Sequence, residues 1–162
     1  MKSNKNNKID ITHFEFLNQL KVKGAVLLYK DDNFAEKIYL SNIPFRPGVY
    51  LVYSLNEEGE DQDLLYYGKA GVTDYKSKPM LNFHPLPNRL IAASKRPEEY
   101  NESKSADITR AKLWPWYVRN NYKNGIKIYW FITEWPNQNP NEFEKEIKLK
   151  LKQKYPKWKK SI

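Results

Sequence analysis

Two apolar runs rich in aromatic residues flank a polar turn that contains glycine. The first run is GVYLVYSL (48–55), the turn is NEEGEDQD (56–63) and the second run is LLYYGKAG (64–71). Apolar runs of this length, joined by a polar loop with glycine, predict a β-hairpin. Because paired strands lie about 5 Å apart, the hairpin is expected to bring Tyr50 and Tyr66 close together.

The apolar pattern predicts further elements on both sides of the hairpin. Before it, Asp10 can cap a helix that runs to about Val22, and the segment 24–41 fits an edge strand followed by a short strand or a helical turn. After it, the pattern predicts a helix over 88–95, an exposed charged stretch over 96–106, a helix that Asp107 caps and Pro115 kinks or breaks, and a strand over 126–133.

The last segment has two conflicting patterns. IKLKLKQKY (147–155) alternates apolar residues with lysine, which is typical of a strand. A helix is favoured instead, because Asn139 and Pro140 are a cap and a first-turn proline, and because apolar residues recur every four positions from Phe143. Acidic residues fill the first turn and lysines the last, as the helix dipole favours. Helices and strands therefore mix in an α+β fold.

Composition narrows the classes of function. The chain has 162 residues, enough for one domain, and its 28 Lys and Arg against 19 Asp and Glu give a formal charge of +9. A surplus of this size attracts polyanions, and nucleic acid is the commonest such partner. A lysine-rich protein without such a partner is the alternative. The absence of cysteine excludes disulfides, cysteine-based zinc sites and thiol chemistry.

The N-terminal segment and the apolar runs predict where in the cell the protein is located. The N-terminal segment is polar and lacks the apolar core of a secretory signal, and the apolar run over 25–29 is too short to span a bilayer. We therefore expect a cytoplasmic protein, in a prokaryotic or phage-encoded setting, with no membrane partner.

The tripeptides Gly48-Val49-Tyr50 and Tyr66-Tyr67-Gly68, in this order and at hairpin spacing, resemble the two motifs of the GIY-YIG nuclease family. The resemblance covers about residues 46–158. It implies a three-stranded antiparallel sheet, made of the hairpin 48–68 and the strand at about 126–133, flanked by helices. The nuclease core would span 46–162 with an insertion loop at 71–87, after a partly helical N-terminal extension over 1–45.

The resemblance also implies an activity. A compact member of the family, of the restriction-enzyme or phage-endonuclease type, hydrolyses phosphodiester bonds of DNA with Mg²⁺ or Mn²⁺. A non-catalytic nucleic-acid-binding module that keeps the fold, and a basic protein directed at RNA, are the alternatives. DNA is the expected partner, no protein partner is implied, and a homodimer stays open.

Five residues match the catalytic positions of the family. Tyr50 and Tyr66 would orient and deprotonate water, although a tyrosine, with a pKa of about 10, needs a nearby cation for this. Lys69 would supply a cation or contact the phosphate, and Arg89 would clamp the scissile phosphate with its guanidinium. Glu144 would hold the metal ion. The alternative to a catalytic role is purely structural: the tyrosines would pack in the sheet, and Arg89 would be a solvated surface residue.

The metal carboxylate is ambiguous among Glu142, Glu144 and Glu146. The helical period places Glu144 near the apolar face that begins at Phe143, whereas the spacing to Pro156 favours Glu146. Glu144 is our choice. Lys159 stands where the family usually has an asparagine that helps to hold the active site.

Basic side chains spread along the chain are the candidates for contacts with DNA. They neutralise phosphates without reading base sequence, although a lysine run is usually only a solvated face. The candidates are Lys76, Lys78, His84, Lys95, Lys148, Lys152 and Lys157.

Overall fold

The computed structural model describes residues 14–71, 85–100, 105–134, 137–151 and 158. The fold is α+β, as predicted, and its main sheet has four antiparallel strands in the order β1-β6-β2-β3. The strands of this sheet are β1 Lys23–Leu28, β2 Gly48–Leu55, β3 Asp61–Ala70 and β6 Ile126–Ile132. A small ribbon pairs β4 Ala93–Lys95 with β5 Asp107–Thr109. The helices are a 3-10 helix at Glu15–Gln19, α1 Phe34–Leu40, α2 Leu86–Leu90, α3 Arg110–Asn121 and α4 Pro140–Leu151.

The predicted hairpin forms β2 and β3. Its register sets Tyr50 opposite Gly68 and Val52 opposite Tyr66, with an irregularity just after Val52. In the turn, the Asn56 Oδ1 accepts a hydrogen bond from the backbone N–H of Glu60 at 2.8 Å. A polar asparagine that replaces missing backbone partners is a common way to close such a loop.

The sheet has one strand more than the three predicted, because the N-terminal extension contributes β1. This strand pairs along its length with β6 and lies at one edge of the sheet that the described residues form. Gly24 permits the pairing, since a Cβ there would approach the Trp130 Cζ2 to 2.5 Å. The predicted strand over 126–133 is confirmed as β6, which lies between β1 and β2.

Helices cover both faces of the sheet and bury a separate apolar cluster on each. On one face, α1, α2 and α3 pack over the strands with residues such as Phe34, Leu90 and Val118. On the other, the 3-10 helix and α4 pack with Leu17 and Ile147. Alternate residues of one strand therefore belong to different clusters, as the pleat of a strand requires.

Two predicted helices are wrong in extent. The helix expected from Asp10 to about Val22 is, in its described part, only a short 3-10 turn that buries Phe14, Leu17 and Leu20 before β1 begins. The helix expected over 88–95 is α2, which starts at Leu86 and ends at Leu90. The second half of the predicted segment, residues 93–95, forms β4 instead. Pairing with β5, which is distant in the sequence, supplies backbone hydrogen bonds that the local pattern does not reveal.

The third helix also begins later than predicted. Asp107 lies in β5, and α3 starts at Arg110. The helix runs through Pro115, which is buried, so tertiary packing of the surrounding face overrides the local cost of the proline. The stretch over 96–106 was expected to be exposed, yet Tyr100 is 4% exposed and its ring lies 5.4 Å from that of Trp116.

The final segment is helical, as predicted. The Asn139 Oδ1 accepts a hydrogen bond from the Asn141 N–H at 2.9 Å at the start of α4. Ile147 is fully buried, whereas Leu149 is 69% exposed, which is what a helical period requires. In the described part of the chain, every helix is too short or too polar to span a bilayer.

The helical phase of α4 can be tested with two substitutions in the same helix. We expect Ile147→Ala to lower the free energy of unfolding by about 2–5 kcal/mol, because it leaves a cavity under the sheet. Leu149→Ala is the matched control and should change it by no more than about 0.5 kcal/mol. Urea denaturation measures both. In a strand the two side chains would share one face, so equal losses would contradict the helix.

Candidate active site

Tyr50 lies in β2, between β3 and β6, on the face that α1, α2 and α3 cover. It is fully buried, and its side chain lies directly over Gly68 of the neighbouring strand. A Cβ at position 68 would overlap the Tyr50 hydroxyl and would come within 2.5 Å of its Cζ. The glycine of the second tripeptide therefore makes room for the tyrosine of the first.

The structure brings Tyr66 beside Tyr50. Their ring centroids lie 6.1 Å apart with the planes inclined by 28°. Trp114 of α3 completes the group, at 6.3 Å from each tyrosine ring. Packing against Trp114 holds both tyrosine rings in fixed orientations, as a site built on rigid elements requires.

The Tyr50 hydroxyl has no hydrogen-bond partner among the described residues. A buried hydroxyl without a partner costs about 1–3 kcal/mol, so such groups are uncommon in a purely structural core. Among the described residues, the Thr133 hydroxyl is the other buried side-chain group without a partner, but it has no second tyrosine or arginine recorded against it as Tyr50 has.

Arg110, at the first position of α3, lies against the same rings. It is 3% exposed, and its Cζ lies 5.5 Å from the ring centroids of Tyr66 and Trp114 and 6.0 Å from that of Tyr50. Sequence reasoning missed this residue. No motif marks it, and the one available signal is its spacing of four residues from Trp114 on the same helix.

Arg89 lies at the end of α2 with an exposed side chain. The helix is short, but its fully buried Leu86 and Leu90 fix it on the sheet. The positive charge of Arg89 acts on the pKa of Tyr50, so this guanidinium lies within electrostatic reach of the tyrosine pair.

Burial raises the pKa of Tyr50 to about 12. The positive charges of Arg110 and, more weakly, Arg89 oppose this rise in the pKa. The neighbouring Tyr66 and, more weakly, the negative charge of Glu144 add to it. The hydroxyl is therefore protonated at neutral pH. As it stands, it donates or accepts a hydrogen bond and does not act as a base.

Lys69 and Glu144 meet on the opposite face, where α4 packs beside β3. The Lys69 Nζ lies 3.6 Å from the Glu144 Oε1, and the two side chains are 41% and 21% exposed. After burial, the negative charge of Glu144 is the next largest effect that raises the pKa of Tyr67, which also locates the carboxylate beside the hairpin. The structure thus places Glu144 beside Lys69 on the face opposite Tyr50 and Tyr66, and its charge still has a small effect on the pKa of Tyr50. The role of Glu144 as a metal ligand stays a prediction.

The donor set around Glu144 fits Mg²⁺ in one respect. Mg²⁺ keeps several water ligands and takes one or two protein carboxylates, and Glu144 offers a hard oxygen donor that is partly accessible. Among the residues that the structure describes, no group of three or more His, Cys, Asp or Glu side chains could hold a metal ion. Glu144 would therefore be a sparse site of the kind that relies on water.

Two of the seven residues predicted to contact DNA lie in the part of the chain that the structure describes. Lys95 in β4 and Lys148 in α4 are exposed. The other candidates, Lys76, Lys78, His84, Lys152 and Lys157, lie outside the described residues, as do Pro156 and Lys159.

A cavity of about 930 Å³ lies away from the tyrosines, between the start of α1 and the start of α3. Its described lining includes Asp32, Phe34, Tyr100, Asp107 and Arg119, but not Tyr50, Tyr66, Lys69, Arg89, Arg110 or Glu144. Volume alone does not identify a site, because the groups suited to chemistry converge around Tyr50.

Comparison of this chain with family models, curated proteins and solved structures gives no match. The residues around Tyr50 and Tyr66 therefore carry the functional inference by themselves.

The buried Tyr50 predicts a loss of stability in alkali. Its folded pKa of about 12 exceeds the unfolded value of about 10, so its contribution is complete below pH 10 and is lost as the pH rises towards 12. Between these values the wild type should lose about 1.4 kcal/mol per pH unit relative to Tyr50→Phe. Urea denaturation at pH 8, 9.5 and 11 measures this difference.

Near neutral pH, Tyr50→Phe should be at least as stable as the wild type, because the lost hydroxyl has no partner among the described residues. Tyr39→Phe, at a residue that is 51% exposed, is the control and should follow the wild type. Equal alkaline losses in the wild type and Tyr50→Phe would refute the prediction.

Proposed function

We propose that this chain is a divalent-metal-dependent DNA endonuclease of the GIY-YIG type, which hydrolyses phosphodiester bonds. The observation that carries the proposal is the buried Tyr50 hydroxyl, which has no hydrogen-bond partner among the described residues and lies over Gly68, beside Tyr66 and near the charges of Arg110 and Arg89. A tyrosine pair under positive charge suits a reaction in which negative charge develops on phosphate oxygens.

Arg89 suits the role of phosphate clamp. Its side chain is exposed, so a DNA backbone can reach it, while buried leucines anchor the short helix behind it. A guanidinium binds two phosphate oxygens at once and keeps its charge at any working pH. Arg89 would therefore fix the scissile phosphate and stabilise its charge in the transition state.

Tyr50 and Tyr66 suit the attacking side of the reaction. The half-buried Tyr66 would orient a water molecule against the phosphorus, and behind it, at neutral pH, the fully buried Tyr50 hydroxyl would donate or accept a hydrogen bond. Transfer of a proton to or from this hydroxyl needs help from nearby positive charge, and Arg110 and Arg89 supply it.

Glu144 would hold the metal ion, and a bound Mg²⁺ supplies Lewis-acid polarisation of the phosphoryl group. Lys69 lies next to Glu144 and is partly exposed, so its ammonium group can also contact a phosphate oxygen. The formal charge of +9 and the exposed Lys95 and Lys148 favour binding to the DNA backbone. The absence of cysteine suits a reducing cytosol, in a prokaryotic or phage-encoded setting.

A non-catalytic nucleic-acid-binding module is the second candidate. The ion pair of Lys69 with Glu144 favours it, because an ammonium group on the carboxylate competes with a metal ion. Metal dependence separates the two candidates. A module needs no Mg²⁺ to bind DNA and leaves it intact.

Cleavage of supercoiled plasmid tests the proposal. We expect the purified chain to cut in Mg²⁺ and to stop when a chelator is added. Arg89→Ala should lower the rate about a hundredfold, because a transition-state contact is lost, with little change in DNA affinity. Arg119→Ala, at an exposed arginine of α3, is the matched control. Full cleavage by Arg89→Ala would remove Arg89 from the site.

The choice among the glutamates has its own test. We expect Glu144→Gln to reduce Mg²⁺-dependent cleavage about a hundredfold or more, because an amide is a much poorer ligand for a hard cation. Glu146→Gln, in the same helix, should remain within about threefold of the wild type. Rates are measured over a Mg²⁺ titration. If Glu146→Gln is the inactive variant, the spacing to Pro156 was the better guide.

A further inference from the structure

Arg110 is a buried cation whose position needs an explanation. It is 3% exposed, and no carboxylate of the described residues forms an ion pair with it. Burial of a charge without an opposite charge is costly, so such residues are rare unless they have a specific role. Among the described residues, its guanidinium contacts three aromatic rings and one backbone carbonyl.

We propose that Arg110 is a positioning residue of the tyrosine site, which fixes the helix that carries Arg89 and holds a permanent positive charge against Tyr50 and Tyr66. Its effect on cleavage rests on the proposed function. Its effect on Tyr50 does not, and that effect can be measured without any substrate.

The first part of the proposal follows from hydrogen bonds at the end of α2. The Arg110 Nη1 donates to the Arg89 carbonyl oxygen at 2.6 Å. The Arg110 backbone N–H donates to the Ala92 carbonyl oxygen at 2.9 Å. Carbonyls at a helix end lack partners within the helix, and a helix as short as α2 is not stable by itself. Arg110 therefore fastens the segment from which the Arg89 side chain extends.

The second part follows from the charges that face Tyr50. They are Arg110 from α3, Tyr66 from β3, Arg89 from α2 and Glu144 from α4. Arg110 is the largest of these influences on the pKa of Tyr50 and opposes the effect of burial. Solvent and salt screen an exposed charge such as Arg89, but screen a buried one much less. Arg110 is thus the constant source of positive potential at the hydroxyl.

The shape of the Arg110 guanidinium allows one side chain both to hold the end of α2 and to face the aromatic rings. The planar group lies 5.5 Å from the rings of Tyr66 and Trp114 while one of its nitrogens reaches Arg89. An ammonium group carries the same charge but cannot present a flat face and a directed donor together. Arg110→Lys should therefore keep the charge and lose the positioning.

The substrate-free test is an NMR titration of the full chain labelled with [¹³Cζ]tyrosine, in which the Tyr50 resonance is identified by its loss in Tyr50→Phe. With a pKa of about 12, roughly a tenth of Tyr50 is ionised at pH 11 in the wild type. Arg110→Gln should lower this fraction at least about threefold, since an opposite charge near the ring is lost. Arg119→Gln is the matched control from the same helix and should leave it unchanged.

An unchanged Tyr50 fraction in Arg110→Gln would overturn the proposal. If that variant does not fold, Arg110→Met fills the same space without charge and gives the same reading. Arg110→Lys should stay close to the wild type in this titration.

Cleavage of plasmid in Mg²⁺ gives the second reading. We expect kcat to fall about a hundredfold in Arg110→Gln, and about tenfold in Arg110→Lys, with DNA affinity unchanged in both. Wild-type kcat in Arg110→Gln would also overturn the proposal. If even the wild type leaves DNA intact, the proposed function fails, and the NMR titration still decides the role of Arg110.

Discussion

The register of the hairpin is the constraint on which the rest of the site depends. Tyr50 faces Gly68 across the strand pair, and only a residue without a side chain leaves room for the tyrosine there. A slip of one residue would move every side chain of one strand to the opposite face. A slip of β3 would take Tyr66 away from Trp114 and Arg110, and Lys69 away from Glu144.

Two features of this site work against stability. The Tyr50 hydroxyl has no partner among the described residues, and Arg110 is buried without an opposite charge there. Packing of the aromatic rings around Trp114 offsets these costs, since such pairs stabilise by about 0.5–1.5 kcal/mol each beyond their buried area. Strained or unsatisfied groups tend to occur together at functional sites, and this region combines two of them.

Local signals explain what could be predicted from the sequence. The hairpin, β6 and α4 have strong turn, cap and periodicity signals, and all three are present. The closeness of Tyr50 and Tyr66 followed from the hairpin alone. The helix over 88–95 was wrong because Ser94 pairs with Ile108 across a sequence gap that no local pattern spans. Arg110 was missed for a related reason, since its partners come from α2 and β3 and only the folded chain brings them together.

The ion pair of Lys69 with Glu144 bears on whether this fold suits an enzyme or a binding module. Both side chains keep contact with solvent, and exposed pairs of this kind contribute only about 0–1 kcal/mol. A divalent cation carries twice the charge of an ammonium group and binds a carboxylate oxygen directly. In the proposed enzyme, exchange of Lys69 for a metal ion at Glu144 would therefore cost little, and the released lysine would stay next to the position proposed for the phosphate. The ion pair is for this reason compatible with the proposed metal site. Before a metal ion binds, the Lys69 ammonium group would neutralise the Glu144 carboxylate.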